Sequence, residues 1–273
     1  MTTRRELLEA YPAEYKSPPT RGSVFSRIAP TAAFYAQIAP VVLRSAEYGR
    51  YGFFNDACWR DQSGKVLRAF ERCGVPVLVE NLRVFETLRE PCLIIGNHMS
   101  TTETFVLAKL LIPFRPITYV VKEALVRYPV FKHIMRARDP VVVGRKDPRA
   151  DLRAVLEGGA ERLARGWTLI IFPQKTRKVE FVPAEFNSIG VKLAKRAGVP
   201  IVPLAVKTDA WANGTRFKDF GPFQPDKPVH FAFGEPMRVT GNGREQNEAV
   251  MAFIQEKLST WEQWDAQWRA AKA

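Results

Sequence analysis

His98 stands five residues ahead of Glu103 in the stretch GNHMSTTETF, directly after the apolar run CLII. An imidazole with a carboxylate in reach can act as a general base. The carboxylate fixes the ring tautomer and raises its basicity, and the other ring nitrogen takes a proton from a hydroxyl. If a helix begins near Ser100, its dipole holds Glu103 ionised and suits it to accept a hydrogen bond rather than to act as an acid. The same residues fit a second description. Ser100 followed three residues later by Glu103 matches a capping box, in which the serine oxygen accepts from the Glu103 amide and the glutamate reaches back to the serine amide. That accounts for Ser100 and Glu103 with no chemistry, but it leaves His98 and Asn97 unexplained at the end of an apolar run. On this stretch alone both descriptions stand.

Charge narrows the partners. Lys and Arg total 41 against 28 Asp and Glu, a formal charge of +13 over 273 residues, and the sequence pI is near 9.9. Such a balance favours an anionic partner: nucleic acid, anionic lipid or a phosphorylated metabolite. No nucleic-acid motif accompanies the charge, and the aromatics cluster with apolar neighbours rather than alternating with basic residues, so no nucleic-acid partner is expected. A serine hydrolase built on a nucleophile elbow would show G-x-S-x-G, which is absent. His98, His133 and His230 are the only histidines and no H-E-x-x-H occurs, so no metal site is expected. Cys58, Cys73 and Cys92 lack metal-ligand spacing and read as reduced thiols.

The elements that must position these residues follow from periodicity. VPVLVENL, PCLIIGNH, PITYVVKE, PVVVGRK, TLIIFPQK, PIVPLAVK and VHFAFGEP read as strands, several of them continuous apolar runs suited to a sheet covered on both faces. TETFVLAKLL, ALVRYPVFKHIMR, DLRAVLEGGAERLARG and FNSIGVKLAKRAG read as helices, the last two closed by Gly166 and Gly198. This alternation predicts an α/β fold with a mixed, largely parallel central sheet flanked by helices, and in such sheets ligands collect at the carboxyl ends of the strands. Two regions are expected: an N-terminal helical extension over 1–74, and an α/β domain over 75–273 that ends in a helix. The tail places Val250, Ile254, Leu258, Trp261, Trp264 and Trp268 near one helical face, a stripe that core packing explains. The apolar stretch Ile28 to Leu43, interrupted by Pro30 and Pro40, falls short of the roughly 20 residues of a spanning helix. With Arg27, Arg44 and the aromatics of YGRYGFFNDACWR around it, it reads equally as a membrane-surface anchor or as a pair of short helices packed on the domain.

Three further blocks follow His98 in order: VVVGRK with Arg145, FPQKTR with Arg177, and VPIVPL. With NHMSTTE, the four blocks resemble those of the glycerolipid acyltransferase family, whose best-known members are the 1-acylglycerol-3-phosphate acyltransferases, across about residues 75–240. The resemblance implies that His98 is the general base, Glu103 its orienting carboxylate, and Arg145 and Arg177 the phosphate binders. It adds Asn97, Lys122, Gln174, Lys175 and Thr176 as substrate-binding residues, with Lys122 polarising a thioester oxygen and Pro200 to Pro203 walling the site. The implied reaction moves a fatty acyl group from acyl-CoA or acyl carrier protein, the thioester co-substrate, to a hydroxyl of a lysophospholipid such as lysophosphatidic acid. No further cofactor is expected. Membrane lipid becomes the expected partner, and the cytoplasmic face of the inner membrane the expected location, with peripheral or monotopic attachment. Three positions depart from the family pattern. Glu103 replaces an aspartate, Gln174 a glutamate and Lys175 a glycine. If the turn needs a left-handed residue at 175, lysine costs about 1–2 kcal/mol there. These departures keep an alternative open: a chain with the acyltransferase fold and little or no turnover that binds anionic lipid.

Overall fold

In the computed structural model, which describes residues 3–18, 22–215 and 218–271, eight strands form one sheet. They are β1 (Tyr15–Lys16), β2 (Val77–Glu80), β3 (Leu93–Gly96), β4 (Ile117–Lys122), β5 (Val141–Val143), β6 (Thr168–Ile171), β7 (Ile201–Lys207) and β8 (Val229–Phe233), in the spatial order β1-β2-β8-β7-β3-β6-β4-β5. β7, β3, β6, β4 and β5 all run parallel, whereas β8 opposes β7 and lies parallel to β2. The helices are α1 (Arg4–Ala10), α2 (Val24–Ile28), α3 (Pro30–Arg50), α4 (Asp56–Arg72), α5 (Val84–Thr87), α6 (Thr102–Leu111), α7 (Glu123–Arg127), α8 (Phe131–Arg136), α9 (Pro148–Ala164), α10 (Ile189–Ala197) and α11 (Arg244–Ala270). The mixed, largely parallel sheet expected from the sequence is therefore present.

Alternation along each strand divides the core in two. Ile94, Ile170, Val202, Leu204 and Val206 face the layer of α3, α4 and α6, where they meet Phe34, Ile38, Phe70 and Leu107. Leu93, Ile95, Leu169, Ile171, Ile201 and Ala205 face the opposite layer, built from α1, α9, α10 and α11. Both faces of β3 and β6 are covered, and each fully buried Ile or Leu contributes about 1.5–3 kcal/mol. That burial is what holds four-residue strands in the centre of the sheet. Gly166 and Gly198 end α9 and α10 with φ of 85° and 68°, the left-handed conformation expected of a glycine stop. The α11 stripe packs inward, with Val250, Ile254, Trp261 and Trp268 buried. All three cysteines are free, and burial pushes the Cys92 thiol up to about 11.

Two elements differ from expectation. The single helix expected over ALVRYPVFKHIMR is two, α7 and α8, because Pro129 bars a helical conformation at Tyr128, which sits extended at ψ 127°. Conversely, Pro40 does not break α3, which runs unbroken for 21 residues. Pro40 lies on the exposed side of the helix, where water can satisfy the carbonyl that its missing N–H leaves free. The N-terminal region supplies more than helices: β1 pairs antiparallel with β2, and Phe34, Ile38 and Phe70 are part of the main core. No helix among the described residues is long and apolar enough to cross a membrane.

Candidate active site

Strand order brings the sequence-distant blocks together. β3, β6, β4 and β5 are neighbours, and at their carboxyl ends lie His98, the turn Phe172 to Arg177, Lys122 and Arg145 respectively. Two contacts hold the His98 ring and a third holds its backbone. Its Nδ1 lies 2.9 Å from Glu103 Oε1, its face stacks on Phe172 with centroids 4.5 Å apart, and its backbone N–H donates to Gln174 Oε1 at 2.6 Å. The second ring nitrogen, Nε2, has no hydrogen-bond partner among the described residues, and the ring lines a cavity of about 340 Å³.

Glu103 serves both descriptions that its sequence allowed. Fully buried, it accepts through Oε1 from His98 Nδ1, from the Met99 amide at 2.7 Å and from the Ser100 amide at 3.0 Å. Through Oε2 it accepts from the Thr208 hydroxyl at 2.7 Å and the Ser100 hydroxyl at 3.2 Å. Only half of the capping box forms, because the Ser100 hydroxyl accepts from the Thr102 amide at 3.0 Å rather than from that of Glu103. Burial alone would push the Glu103 carboxyl up. The bond and charge of His98, the Thr208 hydroxyl and the backbone amide outweigh burial and hold it below the ordinary carboxylate range.

The cavity has two characters. Val41, Phe54, Trp59, Val66, Tyr119, Val121, Leu125 and Ile134, from α3, α4, β4, α7, α8 and the loop before α4, make an apolar interior. Lys122, Arg145, Arg177, Thr101 and Asp219 make a charged mouth on the strand-end side. Burial, and then the charges of Arg145, Arg177 and Lys218, hold the Lys122 ammonium below its ordinary value. Arg145 takes a left-handed φ of 63°, and Asp151 of α9 accepts from the amides of Gly144 and Arg145, both at 2.8 Å. Its guanidinium donates to the carbonyl of Lys175, while Arg177 reaches Thr101 Oγ1 and pairs with Asp219 Oδ1 at 2.7 Å.

This arrangement agrees with what the chain matches. The acyltransferase family model matches residues 76–207, which holds every block that converges on the cavity. A 1-acyl-sn-glycerol-3-phosphate acyltransferase of Pseudomonas aeruginosa is 28% identical over 183 residues, covering 65% of this chain and 68% of that protein. A probable enzyme of the same name from Mycoplasma pneumoniae is 33% identical over 138 residues, 49% of this chain and 50% of the relative. In fold, the crystal structure of the 1-acyl-sn-glycerophosphate acyltransferase PlsC from Thermotoga maritima superposes with a TM-score of 0.60 at 20% identity, over 85% of this chain and 94% of that one. Over residues 76–207 the chain is similar to the acyltransferase family.

Within this acyltransferase fold the remaining candidate residues take different places. Asn97 is buried behind the cavity, its side-chain amide exchanging two bonds of 2.8 Å with the backbone of Val206, so it extends the β3–β7 ladder past the end of β3. Gln174 is buried as well and reaches the backbone of His98, with its Nε2 unpartnered. Lys175 is exposed, and among the described non-glycine residues a positive φ falls at Asn81, Asp139 and Arg145 and not at Lys175, so the turn closes without the strain a left-handed lysine would carry. Thr176 accepts from Lys218 Nζ at 2.8 Å. Pro200 to Pro203 do not line the cavity; Pro203 packs against Gly234 within the sheet. Sequence reasoning missed Thr208, one residue past β7, and Asp219, in a loop with no motif; nothing local marks either as part of the site.

Proposed function

We propose that this acyltransferase moves a fatty acyl group from a thioester donor, acyl-CoA or acyl carrier protein, to the free hydroxyl of a lysophospholipid, with lysophosphatidic acid as the acceptor. The observation that carries this reading is the Glu103-held imidazole of His98, with its free Nε2 on a cavity that joins an apolar interior to a cationic mouth. Glu103 holds the proton on Nδ1, so Nε2 is the basic nitrogen. It takes the acceptor proton as the hydroxyl oxygen attacks the thioester carbonyl; a C–O bond forms, the C–S bond breaks, and the proton passes from His98 to the departing thiolate. Glu103 stabilises the imidazolium in between. Lys122 is placed to offset the charge that develops on the carbonyl oxygen. Arg145 and Arg177 suit the acceptor phosphate because a guanidinium can donate paired hydrogen bonds to its oxygens. The names of all three relatives carry this acceptor, which supports the choice.

The same reading places the protein at a membrane surface as a peripheral enzyme, on the cytoplasmic face of the inner membrane. α2 and α3 expose Val24 at 71%, Phe25 at 55%, Ile28 at 79% and Leu43 at 62%, side chains that a lipid surface would cover, beside a chain of +13. The deciding experiment incubates wild-type and His98→Ala protein with acyl-CoA or acyl carrier protein donors and a panel of lysophospholipids, with products read by mass. Diacyl product from the wild type alone supports the reading; none from either, with lipid still bound, leaves a lipid-binding protein of this fold. Phe25→Ser with Ile28→Ser should weaken sedimentation with anionic vesicles, and unchanged sedimentation would remove these helices from the attachment.

A further inference from the structure

Among the described residues nine large apolar side chains are exposed, and six of them lie before residue 55: Val24, Phe25, Ile28 and Leu43 of α2 and α3, with Tyr51 and Phe53. The other three are Tyr128, Val179 and Phe220, and each stands at the cavity. Tyr128, 44% exposed between α7 and α8, lines the cavity itself. Val179, 53% exposed, follows Arg177 by two residues. The Lys178 amide between them donates to the His98 carbonyl at 3.0 Å, so Val179 is fixed beside the dyad. Phe220, 56% exposed, follows Asp219, whose carboxylate pairs with Arg177 at 2.7 Å. Three segments far apart in sequence thus each put an exposed apolar side chain at the same opening. Apolar side chains scattered singly over a surface need no explanation, whereas a group gathered around a site does.

The backbone beside Phe220 is anchored. Tyr35 of α3 donates to the Gly221 carbonyl at 2.8 Å, the Phe223 amide donates to Thr31 Oγ1 at 3.0 Å, and Phe34 stacks on Phe223 with centroids 4.2 Å apart. These contacts tie Phe220 to the first turns of α3, so it continues the exposed apolar surface of α2 and α3. Cations accompany the apolar side chains. Over 175–180 Lys175, Arg177 and Lys178 stand against Glu180, and Lys218 bonds to Thr176 with no carboxylate partner among the described residues. We propose that Tyr128, Val179 and Phe220 form a second membrane contact, a rim that seats the cavity mouth on an anionic bilayer. Acyl chain and acceptor then pass from lipid into the cavity without crossing water. This rests on the reading of the chain as a peripheral membrane enzyme. Apolar side chains set among cations suit a surface that offers acyl chains below anionic headgroups. A second copy of the chain seated there would instead cover the mouth that the substrates must enter.

Depth in the bilayer is the direct test, and it needs no turnover. In a Cys58→Ser background, where the two remaining cysteines are buried, Phe25→Cys, Val179→Cys, Phe220→Cys and, on exposed α11, Gln263→Cys each carry one fluorophore. The proteins are mixed with vesicles of phosphatidylglycerol and phosphatidylcholine that bear nitroxides on their acyl chains. Labels at 179 and 220 should be quenched as the label at 25 is, while the label at 263 keeps its emission. Phe220→Ser with Val179→Ser should weaken sedimentation with the same vesicles by about tenfold, the worth of one large apolar side chain moved into lipid. The same variant should raise KM for vesicle-borne lysophosphatidic acid and leave turnover of a water-soluble, short-chain donor and acceptor unchanged. Equal losses on both substrates would overturn the proposal, because the two side chains would then be supporting the site itself. Quenching at 25 alone overturns it and leaves attachment through α2 in place. Quenching at none of 25, 179 and 220 overturns it together with the membrane reading. Labels at 179 and 220 that respond to protein concentration and not to vesicles would make the rim a contact between copies, which also overturns it. If both rim labels are quenched but no acceptor is turned over, the proposed reaction fails and the rim stands.

Discussion

Replacing Glu103 with glutamine separates a catalytic carboxylate from a helix cap. Five donors meet the carboxylate: the His98 ring N–H and the Met99 amide fall on Oε1, the Ser100 amide is shared between Oε1 at 3.0 Å and Oε2 at 3.2 Å, and the Ser100 and Thr208 hydroxyls fall on Oε2. A glutamine can keep its carbonyl oxygen at the Oε1 position, where the donors are fixed. Its NH2 then faces the two hydroxyls, which can turn to accept, and the Ser100 amide loses its longer bond to Oε2 but keeps the shorter one to Oε1; Ser100 Oγ still has the Thr208 carbonyl at 2.9 Å to donate to. The fold should therefore survive, at a cost of about 1–3 kcal/mol for weakened charge-assisted bonds. That corresponds to a melting point lower by about 2–4 °C per kcal/mol in a chain of this size. Catalysis loses more, because an imidazolium beside a neutral amide is no longer stabilised, and kcat should fall by about 10²- to 10⁴-fold with KM little changed. The assay is thiol release from acyl-CoA at saturating acceptor, run beside thermal melting. A kcat within about threefold of wild type, with the melting point lowered as expected, would refute the general-base argument and leave Glu103 as a cap of α6.

Other perturbations test the parts around it. Val66→Trp should fill the apolar interior of the cavity and shift the preferred donor to shorter acyl chains, read by product mass across a chain-length series; an unchanged preference would place the acyl chain elsewhere. At Gly159 an added Cβ would lie 2.5 Å from Leu193 Cδ2, so Gly159→Ala should separate α9 from α10 at a cost of about 1–3 kcal/mol, measured by denaturant unfolding. Stability should also fall with acid in two stages. Burial holds the His230 imidazole below its ordinary value against the opposing pull of Asp265, so the unfolded chain takes up that proton first and stability declines from about pH 6.5 downward. Glu103, held below its ordinary value, contributes stability that is present above about pH 4.3 and is lost as pH falls through its folded value. A melting point that stays level from pH 7 to 5 would contradict the first stage.

Much of this protein could be read from its sequence because the signals are local. Continuous apolar runs such as CLII and TLII mark strands covered on both faces, and Gly166 and Gly198 end helices because a residue without a Cβ tolerates a positive φ. His98 and Glu103 are five residues apart, so the bond between them needed only a strand end and the start of a helix. Pro129 splitting one expected helix into two is also a local effect, though Pro40 shows its limit: a proline on an exposed helix face is tolerated when the buried side of that helix is well packed.

What the sequence left open depends on contacts across the sheet. No spacing tells that Arg145, Lys122 and Arg177 share one cavity; the order β3-β6-β4-β5 decides it, since that places three separate strand ends side by side. Gln174 and Asn97 stand among the candidate residues of the site, yet one supports the backbone of His98 and the other ties β3 to β7, roles that arise only when the strands are packed. Thr208 and Asp219 carry no motif, because a hydroxyl 105 positions from Glu103 and a carboxylate 42 positions from Arg177 become partners only through the folded chain. The sequence by itself determined the chemistry available, a base, its carboxylate and an excess of cations. Tertiary structure decided which of those charges are free and which are already paired, because pairing is set by distance in space and not by distance along the chain.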